Sequence, residues 1–220
     1  VAHSYSSLKL YAQCPRQYNE VRVLKLYPYT ESPEAKAGTA SHLAMEEALR
    51  DGKPLPPDQT QYQWLVDGYK GMLAGRINSY EHDFSLGVSG SLIAAFDWKN
   101  KFWNGKADVL SMKDTHAIVI DWKFGKDKYP DTEQLELMAL FTLMAFQNIE
   151  TVAGALVFAI TGKTVTAQYT RKDFTMLYAK WKAKTKDVEL AQASGVWEER
   201  PSHLCPWCPS TQCPNWREKK

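Results

Sequence analysis

The chain has no apolar run long enough to cross a bilayer. No export signal precedes Ser4, and there is no internal repeat or low-complexity stretch. It also lacks any large excess of charge: 27 Lys and Arg against 25 Asp and Glu leave a net charge of +2. A basic surface covering the whole molecule is therefore excluded. Any binding of an anionic polymer must come from a local patch, such as Lys123, Lys126 and Lys128. Cysteine is scarce, with four residues in 220, and three of them, Cys205, Cys208 and Cys213, crowd into one C-terminal run far from Cys14. Without an export signal a disulfide framework is not expected, and the chain reads as a cytoplasmic protein that does not enter a membrane.

What is present is enough for one domain over residues 1–220. The pattern predicts a short helix over residues 4–14, capped by Ser6 or Ser7 and ended by Cys14-Pro15. After a loop containing Pro33 come a helix over 38–49 and an amphipathic helix over 61–78. Strands follow over 81–88, 92–98, 102–112 and 116–123, the first two as a hairpin. A strongly apolar helix over 132–147, with Asp131 as its cap, leads to strands over 152–159 and 165–170. A lysine-rich helix over 173–194 and a proline-rich tail complete the chain. This order predicts an α/β fold with a mixed central sheet flanked by helices. Of the many aromatic residues (8 Trp and 11 Tyr), most are expected in the core; Trp103, Tyr129 and Trp207 are candidates for stacking on unpaired bases.

The chemistry concentrates in two apolar runs. Gly105-Lys106-Ala107-Asp108-Val109-Leu110 carries one carboxylate, and Ile118-Val119-Ile120-Asp121-Trp122-Lys123 carries another with a lysine two residues later. Side chains two apart in a strand share a face, so Asp121 and Lys123 point together while Trp122 points away. If the two runs pair as antiparallel neighbours, Asp108 and Asp121 converge into a site for a hard divalent ion, Mg2+ or Mn2+. A lysine beside the ion can orient water or stabilise a phosphorane-like transition state, so the group points to metal-assisted phosphodiester hydrolysis. His42 and Glu46 are spaced i, i+4 on one helix face. Taken alone, such a pair is more often an incidental polar face. The cysteine spacing, C-x2-C with a third cysteine close by, suits thiolate ligation of zinc or of an iron–sulfur cluster, with His203 available as a fourth zinc ligand.

These residues resemble the PD-(D/E)XK nuclease superfamily, and within it the RecB-like exonucleases that carry a 4Fe–4S cluster. That group includes the CRISPR-associated exonucleases, AddB-type nuclease domains and phage relatives. Ser4-Tyr5-Ser6-Ser7-Leu8 with Cys14-Pro15-Arg16 resembles the opening helix and its first cluster ligand. Gly38 to His42 and Glu46 resembles the helical histidine motif, Gly105-Lys106-Ala107-Asp108 the first acidic motif, and Asp121-Trp122-Lys123 the D/E-x-K motif. Gln134 resembles the glutamine that opens the next helix, and Cys205, Cys208 and Cys213 the terminal ligands. The pattern departs from the family at Met138, where a tyrosine is common, and in the short gap between Cys208 and Cys213.

The resemblance implies a restriction-endonuclease-like core. Cluster-binding elements at residues 1–20 and 197–220 would form an iron–sulfur clamp joining the two ends of the chain. His42, Asp108, Asp121 and the backbone carbonyl of Trp122 would hold the ion. Lys123 would serve the water or the phosphate, Gln134 would orient the lysine or the DNA, and Glu46 would support the metal site from outside. The implied activity is a Mg/Mn-dependent deoxyribonuclease, an exonuclease on single-stranded DNA or DNA ends in recombination, repair or degradation. A helicase, recombinase or annealing protein is the implied partner, in a bacterium or, for a phage-encoded chain, in host cytoplasm. The alternatives are a non-catalytic nucleic-acid-binding module with a zinc knuckle and a structure-specific endonuclease of the same superfamily.

Overall fold

A computed structural model describes residues 2–28, 31–125 and 130–218; Lys126, Lys128 and Tyr129 lie outside the described residues. The chain divides into two compact units. One holds residues 31–178, and the other is made from both ends of the chain, 3–30 and 179–220. No helix among the described residues is long and apolar enough to cross a membrane.

The first unit opens with α3 (Pro33–Arg50), after α1 (Tyr5–Gln13) and α2 (Pro15–Tyr18) of the second unit. Ser32, expected in a loop, caps α3 by accepting from the Ala35 amide at 3.2 Å, and Pro33 sits in the first turn, where its missing N–H costs nothing. The amphipathic pattern of residues 61–78 divides three ways. A 3₁₀ turn at Pro57–Tyr62 leads into α4 (Gln63–Leu73), and Gly75, with φ +68°, turns the chain so that Ile77 and Asn78 enter β1 (Ile77–Leu86).

β2 (Trp103–Lys113), β3 (His116–Lys123), α5 (Glu133–Ala145), β4 (Thr151–Phe158) and β5 (Thr164–Thr170) follow. The five strands form one sheet in sequence order, antiparallel except where β3 and β4 run parallel across the α5 connection. This is the expected α/β fold with a mixed sheet flanked by helices. Residues 92–98 do not form the expected strand; a single bridge joins Leu86 to Leu92. There Gly87 N–H donates to Ser91 O at 2.8 Å and Gly90, at φ +87°, closes the turn, so the chain leaves the ladder at once.

One face of the sheet buries Val109, Ile120, Trp122 and Val157 against Met45, Ala48 and Leu49 of α3 and Leu65 and Val66 of α4. The other face receives α5, nine of whose thirteen residues are buried. That helix lies so close to the sheet that a Cβ on Gly105 would come within 2.7 Å of the Phe141 ring and 2.8 Å of Met138 Cε. Gly105 stands three residues before Asp108, and its lack of a side chain lets α5 press on the strand that carries the acid. Gly105→Val should destabilise the protein by about 1–3 kcal/mol through overpacking. Denaturant unfolding checks this, and an unchanged midpoint would contradict it.

Candidate active site

Register brings the acids together. β2 and β3 pair as far as Val109 and Ile120, so Asp108 and Asp121 stand next to that pair on neighbouring strands, near enough for the Asp108 charge to act on Asp121. Asp108 Oδ2 accepts the Trp122 amide at 2.6 Å and lies 3.2 Å from His42 Nδ1 on α3. The His42 ring is held edge-on to Phe124 at 5.2 Å, and Phe124 packs in turn on Tyr62. Burial opposes a charged imidazole, but the hydrogen bond to Asp108 and the negative charges of Asp108, Asp121 and Glu81 outweigh it, and the His42 pKa rises.

Asp121 is buried, with 6% of its surface exposed. Its Oδ1 accepts from Gln134 Nε2 at 2.5 Å, and Lys123 Nζ lies 2.5 Å from Oδ2 while donating to Gln134 Oε1 at 2.9 Å. The ammonium and Oδ2 form an ion pair. Burial first, and the Asp108 charge second, push the Asp121 pKa up to about 6 against the pull of Lys123 and His42.

A residue not anticipated from the sequence completes the group. One ligand atom each from His42, Glu81 and Asp108 lie within 4.8 Å of one another, a spacing able to hold a metal ion. Glu81 occupies a break in the β1–β2 ladder: Tyr80 pairs with Val109 and His82 with Ala107, while Glu81 and Asp108 go unpaired. Its φ is +50°, a left-handed conformation rare outside glycine. The break turns the strand over. Tyr80 packs with the α3 and α4 core, whereas His82 and Phe84, which would otherwise share its face, meet Phe146 and Phe141. The local sequence Tyr80-Glu81-His82-Asp83 carries no motif. Only the register of residue 81 against residue 108 could have marked it, and that requires knowing that the strand starts at Ile77.

Glu46 does not join this group; it contacts Arg50 one turn further along α3. Lys106 pairs with Glu81 at 2.9 Å, which raises the lysine's pKa, with the charges of Asp83 and Glu46 adding to the rise. Trp122 buries its ring edge-on to Tyr69, and Trp103, a candidate base platform, is fully buried against Phe102 and Phe141. A donor set of one imidazole and several carboxylates fits Mg2+ or Mn2+, and a cation would offset the burial of Asp121 Oδ2.

In the second unit, Cys14, Cys205, Cys208 and Cys213 form no disulfide and line one pocket. His203 does not line it. Backbone and side-chain bonds bring the distant cysteine to the tail: Arg16 N–H donates to Glu198 O at 3.1 Å, the Arg16 guanidinium lies 2.5 Å from Glu199, and Arg200 donates to Ala12 O at 2.7 Å. Tyr18 and Trp197 stack at 5.9 Å. The Ser202 amide donates to Cys205 Sγ at 3.3 Å. Among the described residues no three of these sulfurs lie within 4.8 Å of one another. A tetrahedral zinc site holds its thiolates about 3.8 Å apart, given Zn–S bonds of about 2.3 Å.

An Asp and an Asp-x-Lys thus stand on adjacent strands of a mixed sheet, with a helical His bonded to the first acid. A family model for the PD-(D/E)XK nuclease superfamily matches residues 2–214, and the chain belongs to that superfamily. Its members are nucleases that use divalent metal ions. In fold it is similar to the crystal structure of SSO0001, with 16% identity and a TM-score of 0.55 over 98% of this chain and 87% of that one. It is likewise similar to a proposed exonuclease from Eubacterium rectale, with 13% identity and a TM-score of 0.54 over 100% of this chain and 90% of that one. No curated protein matches it in sequence.

The raised pKa of Asp121 has a consequence for stability. A carboxyl whose folded-state pKa exceeds its unfolded value stabilises the fold fully below the unfolded pKa. That contribution is lost as the pH rises through about 6. At pH 7.5 the metal-free protein should therefore bear the cost of an ionised buried acid, and Asp121→Asn should raise its thermal midpoint, by about 1–2 kcal/mol in stability. Adding Mn2+ should raise the midpoint of the native protein and not that of Asp108→Ala. A lower midpoint for Asp121→Asn would contradict the assignment.

Proposed function

We propose that the chain is a Mg2+- or Mn2+-dependent DNA exonuclease of the RecB-like branch, acting on single strands or free DNA ends. The observation that carries this reading is the group of His42, Glu81 and Asp108 together with the bonded set of Asp121, Lys123 and Gln134 on the neighbouring strand and helix. His42, Asp108, Asp121 and the Trp122 carbonyl hold the metal, with Glu81 as a further oxygen donor. A divalent ion in that position supplies Lewis-acid activation of water and neutralises charge on the phosphate. Lys123, poised by Asp121 and Gln134, places its ammonium at the attacking water or the scissile phosphate, where negative charge develops. Gln134 is a positioning residue, holding both the acid and the lysine from the first turn of α5. Glu46, outside the metal group and paired with Arg50, keeps in this reading only a supporting part, fixing the helix that carries His42. Superfamily membership supports hydrolysis of DNA, and the likeness to the Eubacterium rectale protein described as an exonuclease supports attack at ends.

The four cysteines hold a 4Fe–4S cluster in this reading, as a structural clamp between the first helices and the tail. Four cysteines lining one pocket support this reading. Repair, recombination or DNA degradation alongside a helicase, recombinase or annealing protein, in the cytoplasm, is the proposed setting.

End-labelled linear strands and closed circles, incubated with Mg2+, Mn2+ or EDTA, test the activity. Linear DNA should be degraded from one end, circles should survive, and EDTA should stop the reaction. Asp108→Ala and Lys123→Ala should each lose at least about 100-fold in rate. Undiminished digestion by either variant, or binding without cleavage under every condition, would end the assignment. Anaerobically purified protein should be brown, absorbing near about 400 nm, and Cys205→Ala should bleach it. Colourless protein with stoichiometric zinc would replace the cluster by zinc.

A further inference from the structure

The loop of residues 87–102, between β1 and β2, displays its two largest apolar rings to solvent. Phe96 is 81% exposed and Trp98 76%, the highest values among the exposed large apolar side chains of the described residues. Val88 and Leu92 extend the apolar surface, each more than half exposed. This display is held by a built loop. Asp97 accepts from the Asn100 side chain at 2.8 Å and from the Asn100 amide at 3.2 Å, and its carbonyl accepts the Lys101 amide at 3.1 Å. Lys101 is itself buried, donates to Ala95 O at 2.6 Å and sets its ammonium 4.3 Å from the centre of the Trp98 ring. The base of the loop is pinned as well: Gly90 packs on Met144 of α5 so closely that a Cβ would come within 2.6 Å, and Tyr178 donates to Val88 O at 3.1 Å.

We propose that this loop is a base-stacking platform for unpaired nucleotides of the DNA that enters the active site. The inference rests on the nuclease reading above. Its first support is position. β1 and β2 carry Glu81 and Asp108, run five residues beyond them past the end of β3, and hand directly into the loop. At strand rise that is about 17 Å, the length of about five stacked nucleotides. Its second support is chemistry. Flat rings with exposed faces take any base, and the loop holds two lysines, Lys99 and Lys101, against a single acid whose carboxylate is already bonded to Asn100. An aromatic pair edged by positive charge suits a single strand better than it suits an apolar protein surface.

Binding is measured in EDTA, where no cleavage occurs, by fluorescence anisotropy. The probes are a labelled oligo-dT and an abasic oligonucleotide of equal length and charge. The double variant Phe96→Ser, Trp98→Ser should bind oligo-dT about ten-fold or more weakly and the abasic strand as the native protein does. With metal present, its KM on single strands should rise while kcat holds. Equal losses on both probes, unchanged oligo-dT affinity, no oligo-dT affinity in the native protein, or a dimer that the double substitution dissolves would each overturn the platform. Base-dependent binding without cleavage in any metal would sustain the platform and overturn the nuclease reading instead.

Discussion

Mutual repulsion among Asp108, Asp121 and Glu81 is the constraint around which the first unit is arranged. Each acid is met by a different basic side chain: Asp108 by His42 at 3.2 Å, Asp121 by Lys123 at 2.5 Å, and Glu81 by Lys106 at 2.9 Å. The three arrive from different directions. His42 comes from α3, Lys123 from the same strand face as its acid, and Lys106 from the strand beside Glu81. Each pairing depends on a packing feature elsewhere: the Phe124 edge on His42, Gln134 at the start of α5, and the ladder break at residue 81. The positive φ of Glu81 belongs to the same arrangement, because a regular strand would have given Tyr80 and His82 one face.

Alternation made part of this site legible from the sequence. Asp121 and Lys123 had to share a face, and two β-branched runs had to pair if both were strands, which brought Asp108 into range. The expectation that Gln134 lies beside Lys123 and Cys14 beside the tail cysteines, where the structure puts them, rests on resemblance to a family alone, since nothing in their local context marks them. Glu81 escaped because its role comes from register against a distant strand, and the strand's start was hidden in an amphipathic pattern that reads as helix. Residues 92–98 misled for a related reason. Their apolar pattern reads as the hairpin partner of the first strand, but two tight turns lift them out of the ladder and leave Phe96 and Trp98 exposed. The reverse held at Trp103, whose place as the first residue of β2 puts it in the core.

The second unit solves a different problem. A short helix and a proline-rich tail have little apolar surface of their own, and the described contacts between them are largely polar: Arg16 to Glu198 and Glu199, and Arg200 to Ala12. Aromatic packing adds Tyr18 on Trp197, and Tyr5 edge-on to Trp181 of α6 (Phe174–Ser194). A thiolate-bound cluster would lend such a small assembly the cross-link that its core cannot supply.

The central claim is that the acids on β1, β2 and β3 share one cation site with His42. Anomalous diffraction at the manganese edge from crystals soaked in Mn2+ tests it most directly. The account predicts a peak within ligand distance of His42 and Asp108, with Asp121 or Glu81 completing the oxygen shell. A peak that leaves Asp108 outside its ligand shell, or no bound manganese at saturating concentration, would contradict it.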